Sequence, residues 1–379
     1  MHILIAPNAF KNSLTAHEAA AAIQTGLQQS SLKCTTLCFP IADGGDGTGP
    51  LIIDKCRGNI LTKVVSDPFG RMIQSQFGLI DKGTTAIIEM ADASGLRLLN
   101  RDELNPLKAT SYGTGDLMKF ALDEGVSKIM IAMGGSATVD GGCGILSALG
   151  VQFFNDQNEL LAASPQNLMD LARVDISGLD ERVLNCEVIV LCDVNNLLLG
   201  PQGSAAVFGP QKGTAAGEVI ALDGFLAQLN KIAEQHTGKS MATVKYGGTA
   251  GGAAAGLFAF LNAKLVNGIE HFLQITGFDQ ELQKADLVIT GEGSIDAQTL
   301  QGKGPFGVAR LAKQKNIPVI GLAGKVPLEP HAGLQAYFDV LMAIGNCPAD
   351  LSDSLKNTKE NLLRTSKMIG EMLAFSKTH

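Results

Sequence analysis

The sequence predicts an α/β protein in which a Rossmann-like, doubly wound parallel-sheet domain is discontinuous and carries a second, inserted α/β domain. Three observations predict it. Both ends of the chain alternate short apolar strands with amphipathic helices, the order that builds parallel sheets. The middle opens instead on closely spaced strands joined by tight turns, which favour antiparallel pairing. Glycine, 44 of 379 residues, stands well above its usual share of about 7%. It clusters after apolar strands, where backbone must approach a ligand closely or turn with positive φ.

In chain order, Ile3–Pro7 is an apolar strand closed by Pro-Asn, and Ser13 or Thr15 caps a helix to about Gln29 with Ala19, Ala20, Ile23 and Leu27 on one face. Thr35–Ile41 reads as a second strand, Asp43–Thr48 as a glycine-rich turn and Gly49–Cys56 as a helix. Leu61–Ser66, Gln74–Leu79 and Ala86–Met90 then follow as strands across turns at Asp67-Pro68-Phe69-Gly70 and Asp81-Lys82-Gly83. Thr114–Glu124 reads as a helix, Lys128–Met133 as a strand, Gly142–Leu149 as a helix and Glu187–Leu191 as a buried strand. Ala215–Glu234 and Ala253–Leu261 have helical period. Strict alternation returns with strands at Leu287–Thr290, Pro318–Leu322 and Val340–Ile344 and helices at Pro305–Lys315 and Asn357–Phe375. This pattern assigns residues 1–60 and 280–379 to the Rossmann-like domain and 61–279 to the insertion, with an active site in the cleft between them.

Composition narrows the function. A chain of 379 residues suits about two domains, and 45% hydrophobic against 18% charged residues supplies a core for each. The net charge of −7 argues against nucleic acid as a partner, since phosphate neutralisation needs clustered Lys and Arg. A local cationic pocket for a small anion remains compatible with it. The start, Met1 to Pro7, lacks a basic leader region and reads as a strand, and no apolar run approaches the roughly 18 residues of a membrane span. The cytoplasm is the expected location. The seven cysteines are irregularly spaced and read as reduced thiols.

Six segments place glycine beside polar or ionisable residues after a strand, where open α/β sheets bind ligands. Ala6–Ser13 puts Lys11 beside a helix start, to hold a phosphate oxygen or simply to face solvent. Ala42–Thr48 sets Asp43 and Asp46 among glycines, to hold Mg²⁺ or orient a hydroxyl, or to cap the next helix. Gly134-Gly135-Ser136, running on to Gly142, suits an anion cradle and holds more glycine than a cap needs. Asp193, after Cys192, is a general base, a metal ligand or a cap. Lys212 lies in the rigid turn Phe208–Gly213, as an anion ligand or a solvated lysine. Gly291-Glu292-Gly293, with Asp296 and Lys303 beyond, again sets acids beside glycines. No GxxxxGK[ST] pattern occurs, the histidines are scattered, and Gly247–Gly252 does not fit GxGxxG after a strand, which weakens a dinucleotide reading. These residues point to a phosphate-handling α/β enzyme without naming its substrate.

Eight segments, in order and across nearly the whole chain, resemble the type I glycerate kinases. They are Ala6–Leu14 (APNAFKNSL against APDSFKGSL), Ala42–Thr48 (ADGGDGT against ADGGEGT), Asp67–Arg71 (DPFGR against DPLGR) and Asn105–Leu117 (NPLKATSYGTGDL). The others are Gly134–Gly142 with Val139, Asp193–Gly200 with Leu197, Val207–Gly213 (VFGPQKG) and Gly291–Lys303 with Ser294 where the family has Arg. Asn8 replaces an acid, which puts a base or metal role there in doubt, and Ser294 removes a cation from an anion site.

The resemblance implies phosphorylation of D-glycerate by ATP, with 2-phosphoglycerate ahead of the 3-phosphate as product, in glyoxylate or sugar-acid catabolism. For that reaction the chemistry of phosphoryl transfer leads to the expectation of Mg²⁺ on the β- and γ-phosphates, held by some of Asp43, Asp193 and Asp296, with Asp193 the first choice for the base. Lys11 and Lys212 would neutralise the γ-phosphate or the substrate carboxylate, and Arg71 would pair with that carboxylate. Gly134, Gly135, Ser136, Gly291, Glu292 and Gly293 would line the phosphate site. A homodimer is compatible with this reading, as is a kinase for another small hydroxy acid. A nicotinamide-dependent dehydrogenase is the competing class.

Overall fold

The computed structural model describes residues 1–376. The chain divides into two compact units, Met1–Asp43 with Ile269–His379, and Gly44–Gly268.

The first unit is built on a five-stranded, wholly parallel sheet in the order Val340–Ala343, Val319–Lys325, Leu287–Ser294, His2–Pro7, Thr35–Cys38. Counted along the unit this is 5-4-3-1-2, the flavodoxin-like variant of the doubly wound plan. Its order reverses between His2–Pro7 and Leu287–Ser294. Thr15 opens the first helix, Ala16–Gln28, through a capping box: its hydroxyl accepts from the Glu18 N–H at 3.2 Å while the Glu18 carboxylate accepts from the Thr15 N–H at 2.8 Å. Ile3, Ile5, Ile289 and Leu322 bury one sheet face with Ala19, Ile23 and Leu27 of that helix and Leu362 and Ile369 of the last helix, Thr358–Phe375. The helix Gly304–Gln314 lies against the central strands, so the sheet is covered as a parallel sheet requires.

The second unit contains a six-stranded mixed sheet, ordered Lys264–Asn267, Glu187–Cys192, Lys128–Ala132, Thr85–Glu89, Met72–Ile80, Asn59–Ser66. The first four are parallel, and the last two join as an antiparallel hairpin paired from Asn59↔Leu79 to Ser66↔Met72. Strand alternation in 61–90 announces the hairpin. The pattern does not announce the strand Lys264–Asn267, nor the small antiparallel sheet of Leu160–Leu161, Gln152–Phe154 and Arg173–Asp175. The crossings between units fall at 43/44 and 268/269, not near 60 and 280. The helix Thr48–Lys55 belongs with the second unit because its Ile53 packs onto Gly78, and Lys264–Asn267 completes that unit's sheet. Among the described residues no helix is long and apolar enough to cross a membrane. Among the described residues no disulfide is formed.

In the first unit the first and last helices meet backbone to backbone at Gly26. A Cβ there would stand 2.3 Å from the Leu363 carbonyl oxygen and 2.8 Å from Ser366 Cβ. Gly26→Ala must therefore push two helices apart, an overpacking change worth about 1–3 kcal/mol. Thermal unfolding of the variant is expected to start at a lower temperature than in wild type, despite alanine's better helix propensity.

Candidate active site

In the first unit, the switch point gathers the ends of two strands. Asn8, just past His2–Pro7, donates its backbone N–H to the Gly291 carbonyl at 2.8 Å and its side-chain amide to Asp43 Oδ2 at 3.0 Å. Asp43 Oδ2 also accepts from the Gly304 N–H at 3.1 Å, at the start of the helix Gly304–Gln314. Gly291 sits inside the sheet, where a Cβ would lie 2.2 Å from the Leu322 carbonyl oxygen, so close packing alone demands glycine there. Glu292 is buried and accepts from Thr299 Oγ1 at 3.1 Å. Burial first, then the negative charge of Asp43, pushes its carboxyl up to about 8, against the pull of Lys303. Asp296 adds to that push while holding a local turn through the Gln298 N–H at 2.8 Å. Lys11 is exposed, and Gly293 lies beside its backbone, 3.8 Å from a Cβ built on the glycine.

In the second unit, the turns after parallel strands converge in the same way. The Gly134 N–H donates to the Gly44 carbonyl at 3.0 Å, and a Cβ on Gly134 would meet Gly45 Cα at 2.3 Å. Lys212, only 3% exposed, donates its ammonium to Ser136 Oγ at 2.8 Å and to the Thr138 carbonyl at 2.7 Å. Burial lowers its pKa to about 7, although Asp140 and Asp193 both favour the charged form. Asp193 follows the strand Glu187–Cys192 and is half-buried. Asp140 is buried beneath this group and accepts from the N–H groups of Ser111, Gly142 and Gly144 and from the Ser111 hydroxyl. It supports the start of the helix Cys143–Ala148.

The predicted site residues thus form two groups. Lys11, Asp43, Gly291, Glu292, Gly293 and Asp296 surround the switch point of the first unit. Gly134, Gly135, Ser136 and Asp193 lie just past strands of the second, and the turn Pro210–Lys212 between two helices brings Lys212 to Ser136. Arg71 stands in the second unit on its own turn, with its guanidinium on Asp67 at 2.5 Å and on Glu103 at 2.6 Å.

A model of the glycerate kinase family matches residues 3–374. The chain is 41% identical over 378 residues to the glycerate kinase of Bacillus subtilis (strain 168), covering 100% of this chain and 99% of that one. It is 38% identical over 378 residues to the glycerate 2-kinase of Escherichia coli (strain K12), covering 99% and 98%. A crystal structure of a protein from Salmonella typhimurium LT2, assigned as glycerate kinase 2, superposes with a TM-score of 0.83 at 41% identity over the full length of both chains. The chain belongs to the glycerate kinase family.

Two residues of this family member escaped the sequence reading. Glu89 ends the strand Thr85–Glu89, and its buried carboxyl accepts from the Gly47 and Gly49 N–H groups at 2.5 and 2.8 Å. Burial, then its hydrogen bond with Asp46, pushes it up to about 8. Arg97 borders the glycine turn, 3.6 Å from Asp46 and paired with Asp92, while the neighbouring Leu96 N–H donates to the Gly135 carbonyl at 2.8 Å. A buried acid at a strand's last residue is the signal that could have exposed Glu89. Arg97 follows a short helix with no motif to mark it.

Among the described residues no three His, Cys, Asp or Glu side chains gather into a metal cage.

The two buried groups give opposite pH signatures. Glu292 titrates near 8 folded and near 4.5 unfolded. Between those values the folded state binds the extra proton, so this group's contribution to stability falls as pH rises from about 4.5 to about 8. Lys212 titrates near 7 folded and 10.5 unfolded, so its contribution rises with pH across that window. Glu292→Gln is expected to gain stability over wild type at pH 8–9 and to lose that advantage near pH 4.5. Lys212→Met should gain most at pH 7 and below. Thermal melts across pH 4.5–10 separate the two.

Proposed function

We propose that the chain transfers the γ-phosphoryl group of ATP to a hydroxyl of D-glycerate, forming 2-phosphoglycerate, as a cytoplasmic step of glyoxylate or sugar-acid catabolism. The observation that carries this reading is Lys212. A buried lysine whose ammonium rests on a serine hydroxyl and a carbonyl, with the charges of Asp140 and Asp193 favouring its charged form, supports the reading because it can offset charge on a bound anion. Family membership supports glycerate as the acceptor, and the name of the E. coli relative, a glycerate 2-kinase, supports transfer to the 2-hydroxyl.

Phosphoryl transfer asks the protein to position reactants and neutralise charge. Asp193 accepts the proton of the glycerate hydroxyl, and Lys212 beside it offsets charge on the incoming anion. The turn of Lys11 and Gly293 faces phosphate oxygens at the switch point, where doubly wound sheets take nucleotides. Mg²⁺ arriving with ATP would be held by Asp43, Glu292 or Asp296 and would neutralise phosphate charge. Glu292, held protonated by burial and its acidic neighbours, is the carboxyl most ready to exchange a proton for a cation. Arg71 serves the glycerate carboxylate only by leaving Asp67 or Glu103.

ADP release in a coupled assay is expected with D-glycerate and to be weaker with glycolate or hydroxypyruvate. Phosphorus NMR of the product should show the 2-phosphate. Asp193→Asn is expected to lower kcat by about 10²–10⁴-fold, the range for a lost general base. Near-normal turnover would remove Asp193 from that role.

A further inference from the structure

Gly47 begins the helix Thr48–Lys55 with φ of 91° and, lacking a side chain, cannot cap it. The cap comes from another strand. Glu89, 3% exposed, sets Oε1 on the Gly47 N–H and Oε2 on the Gly49 N–H, at 2.5 and 2.8 Å. Both donors are orphan amides of a helix start, and a carboxyl is the acceptor best matched to them. The fit leaves no slack: a Cβ on Gly49 would stand 3.0 Å from Glu89 Oε2 and 3.3 Å from Glu89 Cβ.

What Glu89 fastens is the turn that the second glycine loop rests on. Gly44 of this turn accepts from the Gly134 N–H, and Gly45 lies against Gly134 with no room for a side chain. Asp46, in the same turn, bonds to the Glu89 carboxyl on one side and faces Arg97 at 3.6 Å on the other. Position passes from the rigid strand Thr85–Glu89 to the turn at 44–47, and from there to the turn at 134–136 that carries the Lys212 partner Ser136.

We infer that Glu89 is a positioning residue for phosphoryl transfer: it pins the glycine turn 44–49 to the sheet and thereby sets Asp46 and the 134–136 turn, without touching either substrate. The inference rests on the kinase reading above.

Glu89→Gln offers one carbonyl oxygen where two N–H groups need acceptors, and turns an amide donor toward the other. Gly49→Ala leaves Glu89 intact but displaces it, and serves where the first variant folds poorly. Hydrogen–deuterium exchange of the 43–51 segment should accelerate in both variants. Because the turn acts on alignment rather than on binding, kcat should fall by about tenfold or more, with both KM values held within about threefold. Unchanged exchange in both variants overturns the clamp. Faster exchange with unchanged kcat, or a loss seen only as raised KM, overturns its role in positioning. Wild-type protein that turns over no D-glycerate counts against the reaction, and the exchange result still decides the clamp.

Discussion

The second unit depends on two turns whose backbones touch. Where Gly134 meets Gly45, the Cα–Cβ bond of any other residue would end 2.3 Å from a neighbouring Cα, so glycine is a steric requirement there. The contact brings the end of Lys128–Ala132 and the turn after Asp43 within one hydrogen bond of each other. It also consumes the Gly134 N–H, so in the proposed reaction anion recognition would fall to side chains such as Ser136 and Lys212. Glycine in this region builds the frame more than it cradles the ligand, which is a narrower role than an anion-binding loop would have.

Three ionisable groups at these turns are held away from their usual ionisation by burial: Lys212 downward, Glu89 and Glu292 upward. Each would be more stable elsewhere as a neutral side chain, so their retention needs a reason outside folding. In the proposed reaction the reason for Lys212 is an incoming anion, which would restore the charged form, and for Glu292 an incoming cation. For Glu89 it is the pair of glycine amides it holds. The same low dielectric that disfavours each charge alone strengthens it once its partner arrives.

Much of this was legible in the chain itself. Alternating strands and helices at both ends gave the parallel sheet of the first unit; of the two caps the sequence offers for the first helix, Ser13 or Thr15, the structure uses Thr15, in a capping box with Glu18. The predicted boundary near 60 lies beyond the crossing at Asp43 because local pattern cannot tell which sheet an amphipathic helix will cover. Ile53 against Gly78 decides that, and the two are 25 positions apart in sequence. The short strands of 152–175 hold two or three residues each, too few for a period to register. Lys212 was visible as a lysine in a rigid turn, but its burial, which gives it chemical meaning, is tertiary. Glu89 was invisible for the same reason.

The two departures from the family's pattern gain sense from the geometry of the first unit. Asn8 stands where the family has an acid, and its amide donates to Asp43 Oδ2. A carboxylate in that place would set a second negative charge against Asp43. Ser294 stands where the family has Arg, and its hydroxyl donates to Asp296 at 3.3 Å. Losing a guanidinium there leaves Lys303 as the cation that holds Glu292 down. One substitution removes a negative charge and the other a positive one, so together they keep the local charge balance, and each leaves an uncharged donor on a carboxylate.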